Sequence, residues 1–299
     1  MDHLLSIESL TSDQIVSLVD LGEELKTTRG NSKEKPLADQ TWALLFSKSS
    51  TRTRVSFEVG IRELGGDVMF LSSSEAQLGR GEPIRDTARV MGRMVHGAVI
   101  RTFDQSDVED FAKYGKIPTV NALTDEEHPC QTLADLLTIK ERLGTWNGKK
   151  VVFLGDGDCN VSRSWIWAAA RLGFELIIAA PKEFQPPQEF LDKVGAGNIS
   201  CTDDLQSAAE GADVLYTDVW VSMGKEDESA GRIATLEGYQ INDDLVSKAN
   251  PGALVMHCLP AYRGKEITNE CLENHADTIF QQAENRLHAQ KAVLCELVR

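Results

Sequence analysis

The sequence predicts an α/β protein of two domains, each a parallel sheet flanked by helices, with the active site in the cleft between them. Short apolar segments alternate with segments whose apolar residues recur at helical spacing. A long helical segment that ends at Gly144 and the polar turn TWNGKK interrupt this alternation, which then starts again. The 299 residues are enough for two such domains with cores of their own.

The first domain is predicted over residues 1–143. Its first helix begins with a capping box that Thr11 and Gln14 fit. Pro83 and Pro129 fall in the first turns of later helices, where a missing N–H is harmless. In order, the predicted elements are the helix 11–26, the strand 41–46, the helix 51–65, the strand 67–73, the helix 83–95, the strand 96–103, the helix 107–115, the strand 117–123 and the helix 128–144.

The second domain is predicted over residues 147–283, and the C-terminal segment 284–299 is expected to form a helix that packs back on the first domain. Trp165 and Trp167 are expected to serve helix packing. In order, the predicted elements are the strand 149–157, a helix with the two tryptophans, the strand 174–181, a further helix, the strand 212–220, a long loop, the strand 252–260 and the final helix 283–298.

The composition argues against several classes of protein. The net charge of −15 argues against a nucleic-acid-binding surface. No apolar run approaches the roughly 20 residues that span a bilayer, and the acidic N-terminus lacks the apolar core of a signal peptide. The six cysteines are not at CxxC spacing, which indicates reduced thiols and a cytoplasmic protein.

Positive charge is concentrated in one window of this acidic chain. Residues 46–101 hold eight Arg and one Lys against six Asp and Glu, a balance of +3 that leaves −18 for the other residues. This distribution predicts a local anion site. The alternative is a chance cluster of arginines on solvated helices.

The segment SSTRTRVSFEVG, residues 49–60, places hydroxyl and guanidinium groups where a strand hands over to a helix. A helix N-terminus has unpaired N–H groups and the positive end of the helix dipole, and it binds phosphate well. Ser50, Thr51 and Thr53 add donors, and Arg52 can grip two phosphate oxygens. The alternative is a Ser/Thr helix cap with surface arginines.

Further polar residues follow strand ends or open a helix. His128 and Gln131 lie at i, i+3 at the start of a helix, and Arg101 ends a strand. Ligands of open α/β sheets bind beyond the carboxyl ends of strands, where Asn160, Asp218 and Cys258 also fall. Each residue has a simpler structural explanation: a histidine that caps its own turn, an aspartate that caps a loop, a small buried thiol.

A dinucleotide site is the main competing interpretation. The segment VVFLGDGDCN resembles the glycine-rich turn of such sites with Gly155 and Gly157, but Asn160 stands at the third glycine position. The next strand ends in Ala-Ala-Pro and not in an acidic ribose ligand. No HExxH motif, Cys/His pair at ligand spacing or EF-hand loop predicts a metal site.

Four ordered motifs resemble the signatures of the aspartate/ornithine carbamoyltransferase family. They are STRTR at 50–54, HPCQ at 128–131, DVWVSMG at 218–224 and HCLP at 257–260, and ENRLH follows near the C-terminus. The last two of the four resemble the ornithine branch in particular, since HPLP and no SMG loop would be expected in the aspartate branch. The resemblance implies that carbamoyl phosphate and L-ornithine give L-citrulline and phosphate, with no redox cofactor or metal.

The resemblance also implies roles for individual residues. Those that match the phosphate contacts are Ser50, Thr51, Arg52 and Thr53; those around the carbamoyl group are Arg101, His128 and Gln131, with Arg286 as a further contact. Those that match the contacts to the α-amino and α-carboxylate groups of ornithine are Asn160, Asp218, Ser222 and Met223, while Cys258 and Leu259 lie near the reacting nitrogens. The implied catalytic residues are Arg101, His128, Asp218 and Cys258.

The resemblance further implies a homotrimer, or a multiple of trimers, in which Gln77 lies on a loop that reaches the site of the neighbouring subunit. Two other functions stay open at this point. One is carbamoyl transfer to another amine, such as aspartate, putrescine or an acetylated ornithine. The other is non-catalytic binding of a phosphorylated metabolite, which would be expected to have lost one of the reacting positions.

Overall fold

The computed structural model describes residues 1–31, 33–72, 82–221 and 229–299. It divides into two compact units. The first is Met1–Leu137 with Glu284–Arg299, and the second is Thr138–Ala283. Three of the residues singled out above, Gln77, Ser222 and Met223, lie outside the described residues.

The first unit holds the elements up to the first part of α5, together with the last part of α12. They are α1 Ser12–Thr27, β1 Thr41–Phe46, α2 Thr51–Glu63, β2 Asp67–Ser72, α3 Ile84–Met91, β3 Gly97–Arg101, α4 Gln105–Gly115, β4 Thr119–Leu123 and α5 Pro129–Leu143. The predicted capping box is confirmed: Thr11 Oγ1 accepts from the N–H of Gln14, and the Gln14 side chain accepts from the N–H of Thr11.

The second unit contains the rest. Its elements are β5 Lys150–Leu154, α6 Asn160–Leu172, β6 Glu175–Ala179, a 3-10 turn Lys182–Phe184, α7 Gln188–Val194, β7 Ile199–Thr202, α8 Leu205–Ala209, β8 Val214–Thr217, α9 Ser229–Leu236, α10 Asp243–Val246, β9 Leu254–His257 and α11 Asn269–Asn274. It also holds the first part of α12 Ala276–Leu297, up to Ala283. In the described part of the chain, no helix is long and apolar enough to cross a membrane.

The sheet of the first unit is parallel with the order β2-β1-β3-β4. Five consecutive residues of β1 are buried, as expected of a central strand covered on both faces. On one face, Ala43, Leu45 and Ile100 form a core with Phe111 of α4. Phe46 pairs with Arg101, so β1 and β3 end level with one another, and the segments that follow both strands leave the sheet at one edge.

The sheet of the second unit is parallel with the order β7-β6-β5-β8-β9. Thr217 pairs with both Leu154 and His257, so the ends of the neighbouring strands β5, β8 and β9 are also level. Trp165 is fully buried, with its ring 5.3 Å from that of Tyr216. The packing role predicted for Trp165 is therefore confirmed.

Several predicted elements differ from the structure. The strand β7 was not predicted, because it has four residues, lies at a sheet edge and carries no apolar run. The predicted long loop after β8 contains α9 and α10, which are short. The final helix begins at Ala276 and not at residue 283. Pro83 is the N-cap of α3 and precedes its first turn.

Candidate active site

The first unit presents a helix N-terminus at α2. Ser50 is extended and caps this helix: its Oγ accepts from the N–H of Thr53 at 3.3 Å and lies 3.0 Å from Thr53 Oγ1. The N–H groups of Thr51 and Arg52 have no hydrogen-bond acceptor among the described residues. These two donors and the helix dipole make this end of α2 a place for an anion.

The two arginines of the STRTR motif differ in their surroundings. Arg54 forms an ion pair with Glu58 at 2.7 Å, and its guanidinium lies 3.8 Å from the centre of the Phe70 ring. Arg52 is exposed, and within the described ranges its side chain has neither an ion pair nor a hydrogen bond. Arg52 is therefore the arginine of the motif that is available to an anion.

A cavity of about 440 Å³ lies beside this helix end. Its lining residues come from the end of β1, the start of α2 and the end of β2: Phe46, Ser47, Ser49, Ser50, Thr51, Arg54, Val55, Phe70 and Ser72. A phosphorylated metabolite of a few heavy atoms fits a volume of this size. The cavity shares Ser50 and Thr51 with the anion site.

Arg286 joins the anion site to α5. Its Nη1 donates to Gln131 Oε1 at 2.7 Å, and its Nη2 donates to Thr53 Oγ1 at 3.2 Å. The other end of the Gln131 amide, Nε2, donates to Asp135 Oδ1 at 2.8 Å. All four side chains are buried. The structure thus brings Thr53, Gln131 and Arg286 together.

His128 and Arg101 are buried in the same unit. Burial holds the pKa of His128 well below its ordinary value, and the nearby positive charges of Arg286 and Arg101 lower it further. The imidazole is therefore neutral at neutral pH and can donate one hydrogen bond from its ring N–H. The backbone of Arg101 accepts from the N–H of Ser47 at 2.8 Å, which links the ends of β3 and β1.

Lys48 is a residue near this site that the sequence reasoning missed. It is 6% exposed, forms an ion pair with Asp125, and its ammonium lies 4.1 Å from the centre of the Phe103 ring. These contacts tie the segments that follow β1, β3 and β4 to one another. Its position directly after a buried strand, in FSKSSTRTR, was the available signal.

In the second unit, Asp218 follows β8 and Cys258 follows β9. Asp218 Oδ1 accepts from the Cys258 thiol at 2.8 Å and from the N–H of Val219 at 2.7 Å. Burial raises the pKa of Asp218 above its ordinary value, while His257, the thiol and the N–H of Val219 act in the opposite direction. The other carboxylate oxygen has no hydrogen bond in the described part of the chain, so it can accept from a cationic ligand.

Leu259 has a left-handed backbone, with φ of 56°, which a non-glycine residue rarely adopts. Its N–H donates to Nδ1 of His257 at 2.8 Å. Nδ1 is therefore the acceptor, and Nε2, which lies 3.1 Å from Glu266 Oε1, donates its proton to that oxygen. Glu266 also accepts from the N–H of Tyr262 at 2.5 Å. These bonds hold the turn that carries Cys258.

Ligand atoms of Asp218, His257 and Cys258 lie within 4.8 Å of one another. This spacing alone would suit a metal ion. However, both ring nitrogens of His257 are engaged, one as an acceptor from Leu259 and one with Glu266. The donor set available at this turn is a carboxylate and a thiol, which does not make a metal centre.

Asn160 begins α6, and Cys159 is the N-cap of that helix. The Cys159 sulfur accepts from the N–H of Ser162 at 3.5 Å, and burial raises the pKa of its thiol. Cys159, to which the sequence reasoning assigned no role, is thus a helix cap. Gly157 in the same turn packs closely, because a Cβ there would lie 2.8 Å from the carbonyl oxygen of Phe184 and closer still to Ile178. Close packing accounts for this glycine without a dinucleotide.

Comparison with known proteins adds two family matches. Residues 2–141 match the family described as aspartate/ornithine carbamoyltransferase, carbamoyl-P binding domain. Residues 147–297 match the family described as aspartate/ornithine carbamoyltransferase, Asp/Orn binding domain. The first match ends and the second begins within six residues of one another, so the two matches cover nearly the whole chain.

Similar full-length proteins are also known. A protein of Akkermansia muciniphila named ornithine carbamoyltransferase is 58% identical over 299 residues, which cover 99% of this chain and 98% of that protein. One of the same name from Methanobrevibacter smithii is 46% identical over 305 residues and the full length of both. The crystal structure of an anabolic ornithine carbamoyltransferase from Campylobacter jejuni superposes with a TM-score of 0.93 at 44% identity, over 99% of both chains. An ornithine carbamoyltransferase structure from Pyrococcus furiosus has a TM-score of 0.91 at 42% identity, over 98% of this chain and 95% of that one.

Proposed function

Because the chain belongs to the aspartate/ornithine carbamoyltransferase family, we propose that it transfers the carbamoyl group of carbamoyl phosphate to the δ-amine of L-ornithine, giving L-citrulline and phosphate. The observation that carries this proposal is the identity of 58% over 99% of the chain to a protein named ornithine carbamoyltransferase. The motifs DVWVSMG and HCLP support ornithine over aspartate as the acceptor.

Carbamoyl phosphate is assigned to the first unit. The start of α2 offers the hydroxyls of Ser50, Thr51 and Thr53, together with backbone N–H groups and the guanidinium of Arg52, which have no partner among the described residues. Phosphate oxygens suit these donors, because the helix dipole and a charge-assisted fork both favour a dianion. The same groups stabilise the phosphate as it departs.

The carbamoyl group is assigned to Arg101, His128, Gln131 and Arg286. Attack by an amine places negative charge on the carbonyl oxygen, and preorganised donors lower the barrier most where that charge develops. Arg101 and the neutral N–H of His128 are such donors, with Thr53 beside them. Gln131 presents its amide oxygen towards Arg286, so this end of the amide can also accept from the carbamoyl NH₂.

Ornithine is assigned to the second unit. Asp218 supplies a partly buried carboxylate for the α-ammonium, and Asn160 supplies an amide. Ser222 and Met223 are assigned to the same amino-acid end on the family pattern alone. Cys258 and Leu259 lie on the turn after β9 and are assigned to the reacting nitrogens.

The domain roles follow from these assignments. We assign carbamoyl phosphate to residues 1–143 with the C-terminal helix segment 284–299, and ornithine to residues 147–283. The names of the two matching families include the same two ligand classes in the same order. On the composition and cysteine pattern above, the protein is placed in the cytoplasm.

A homotrimer, or a multiple of trimers, is proposed as the assembly, with the Gln77 loop of one subunit completing the site of the next. The first unit supports an interface between copies of this chain, because it exposes apolar side chains beside the edge strand β2. Val55 is 54% exposed and Met69 is 45% exposed. Apolar groups near an open sheet edge favour association. Light scattering of the purified protein measures the number of subunits, and a monomer contradicts this assembly.

The reaction is tested by a citrulline assay with purified protein, carbamoyl phosphate and L-ornithine. Aspartate, putrescine and N-acetylornithine are supplied in parallel, each with carbamoyl phosphate. The proposal expects citrulline formation to exceed transfer to every other amine. Preferred transfer to another amine identifies a different carbamoyltransferase, and phosphate-site binding without transfer to any amine identifies a binding protein.

A further inference from the structure

Gln290 lies one helical turn after Arg286 on α12 and is fully buried. In the amide orientation that satisfies both of its ends, Oε1 accepts from Arg286 Nη2 at 3.1 Å and from Arg286 Nε at 3.2 Å. Nε2 then donates to Ser56 Oγ at 2.6 Å and to the backbone carbonyl of Arg286 at 3.3 Å. The amide is thus held at both ends, and its oxygen grips two nitrogens of one guanidinium.

The bonds of Gln290 fix the plane of the Arg286 guanidinium. Arg286 Nη1 donates to Gln131 and Nη2 donates to Thr53, so Gln290 supplies the contact on the Nε edge that those two residues do not reach. Because a guanidinium is planar, acceptors on different edges leave it little freedom to rotate. The orientation of the guanidinium is therefore set before any ligand arrives.

Gln290 also ties α12 to the helix of the anion site. Ser56 lies on α2, and its Oγ donates to the carbonyl oxygen of Thr53 at 3.2 Å while it accepts from Gln290. The chain of contacts therefore runs from α12 through Ser56 to Thr53, which is also a direct partner of Arg286. A shift of the Gln290 amide would therefore change the positions of both Arg286 and Thr53.

The neutrality of the Gln290 side chain matters as much as its geometry. Gln290, Gln131 and Thr53 are all neutral acceptors, so none of these three contacts cancels the positive charge of Arg286. A carboxylate at position 290 would fit the same space and would neutralise that charge in a buried setting, where charge interactions are strong. A neutral amide holds the guanidinium without adding a negative charge beside it.

We propose that Gln290 is a positioning residue of the carbamoyl phosphate site: it orients the guanidinium of Arg286 through a neutral amide that adds no negative charge beside it. This inference rests on the function proposed above for the assignment of the anion. The contacts themselves are independent of that function.

The test uses the full-length protein with the variants Gln290→Glu and Gln290→Met, and with Gln188→Glu as a charge-matched control on an exposed turn of the second unit. Inorganic phosphate is titrated into each by calorimetry, and thermal unfolding is followed by circular dichroism. Gln290→Glu is expected to bind phosphate at least about tenfold more weakly while it stays folded at the assay temperature, because a new ion pair with Arg286 offsets the loss of the two hydrogen bonds that the Gln290 amide donates. Gln290→Met is expected to bind about threefold more weakly, since the guanidinium keeps its charge but loses its orientation.

Kinetics separate positioning from a purely structural role. Gln290→Glu is expected to raise the KM for carbamoyl phosphate and to leave the KM for ornithine within about twofold of the wild type, whereas Gln188→Glu changes neither. Phosphate binding by Gln290→Glu that equals the wild type overturns the proposal, as does failure of both position-290 variants to fold. If the wild type binds phosphate but forms no citrulline, the proposed reaction is wrong, and the calorimetric comparison still decides the role of Gln290.

Discussion

The thiol of Cys258 donates to Oδ1 of Asp218, with 2.8 Å between sulfur and oxygen. The N–H of Val219 donates to the same oxygen at 2.7 Å. Two donors on Oδ1 fix the direction in which Oδ2 points. Because the carboxyl is buried, a cationic partner at Oδ2 would stabilise its charged form. The end of β8 and the end of β9 are thereby joined through side chains that follow level strands.

The substitution Asp218→Asn is expected to raise the KM for ornithine by about tenfold or more, because the α-ammonium loses a charged partner. The amide oxygen can still accept from Cys258 and Val219, so the fold of this turn should persist. Steady-state kinetics measure the effect, and calorimetry with phosphate serves as the control. Loss of phosphate binding in this variant would contradict the assignment of the two ligands to different units.

Arg52→Ala is expected to weaken phosphate binding and to lower the rate of citrulline formation by roughly 100-fold, because a charge-assisted donor at the departing phosphate is removed. Arg54→Ala is the matched control, since Arg54 is already engaged with Glu58 and Phe70. Its effect on phosphate affinity should be much smaller. Equal losses in the two variants, measured by calorimetry, would count against the specific role of Arg52.

His128 should make the folded state less stable in acid. Its pKa is lowered in the folded protein, so between that value and about 6.5 the unfolded chain binds more protons at this residue. The contribution to stability is therefore complete above about pH 6.5 and is lost as the pH falls below it, by at most about 1.4 kcal/mol per pH unit. Urea unfolding at pH 7.5 and 5.5 measures the loss.

The matched variant for this measurement is His128→Gln. Burial also lowers the pKa of His3, His275 and His288. Several histidines therefore contribute to the dependence of the unfolding free energy of the wild type on pH. The expected result is that the variant loses less stability between the two pH values than the wild type, whatever its absolute stability. An identical loss in both proteins would mean that His128 takes up no extra proton on unfolding.

Citrulline formation should rise from pH 6 to pH 8 or 9. The δ-amine of ornithine has a free pKa of about 10, and only its deprotonated form attacks the carbonyl. His128 is neutral throughout this range and should not add a step of its own. A profile of rate against pH at saturating substrates tests the expectation, and a flat profile would mean that another step controls the rate.

The proposed sharing of sites between subunits predicts complementation. One inactive variant is changed at Arg52 and a second has the loop around Gln77 disrupted. After subunit exchange, some interfaces combine an intact Arg52 site with an intact Gln77 loop, as a cyclic heterologous trimer requires. The mixture should therefore be more active than either parent.

Two controls are needed for this mixture. Each variant must fold, and mass spectrometry of differently labelled subunits must show that hybrids form. Hybrids without recovered activity would exclude a site shared in this way, and the homotrimer itself would then need a different explanation for its interface.

Local sequence patterns were sufficient for most of the backbone. Alternating apolar and helical segments predicted eight of the nine strands in the described part of the chain, and the capping pattern at Thr11 and the proline at Pro129 predicted helix starts that the structure confirms. The missed strand β7 shows the limit, because a four-residue edge strand buries too little apolar surface to produce a pattern. The short helices α9 and α10 were missed for the same reason.

The sequence by itself determined the two-sheet α/β class, the helix start at Ser50 and the polar residues at strand ends, because these depend on residues close together in the chain. Only the tertiary structure decided which polar groups pair. Gln131 meets Arg286 across 155 positions, and Asp218 meets Cys258 across 40. Arg52 and Arg54 look alike in the motif, yet among the described residues only Arg54 has a carboxylate partner and a ring beside it. The physical reason is that a hydrogen bond or an ion pair forms between whichever side chains the fold brings within about 3 Å, and local periodicity contains no information about that distance.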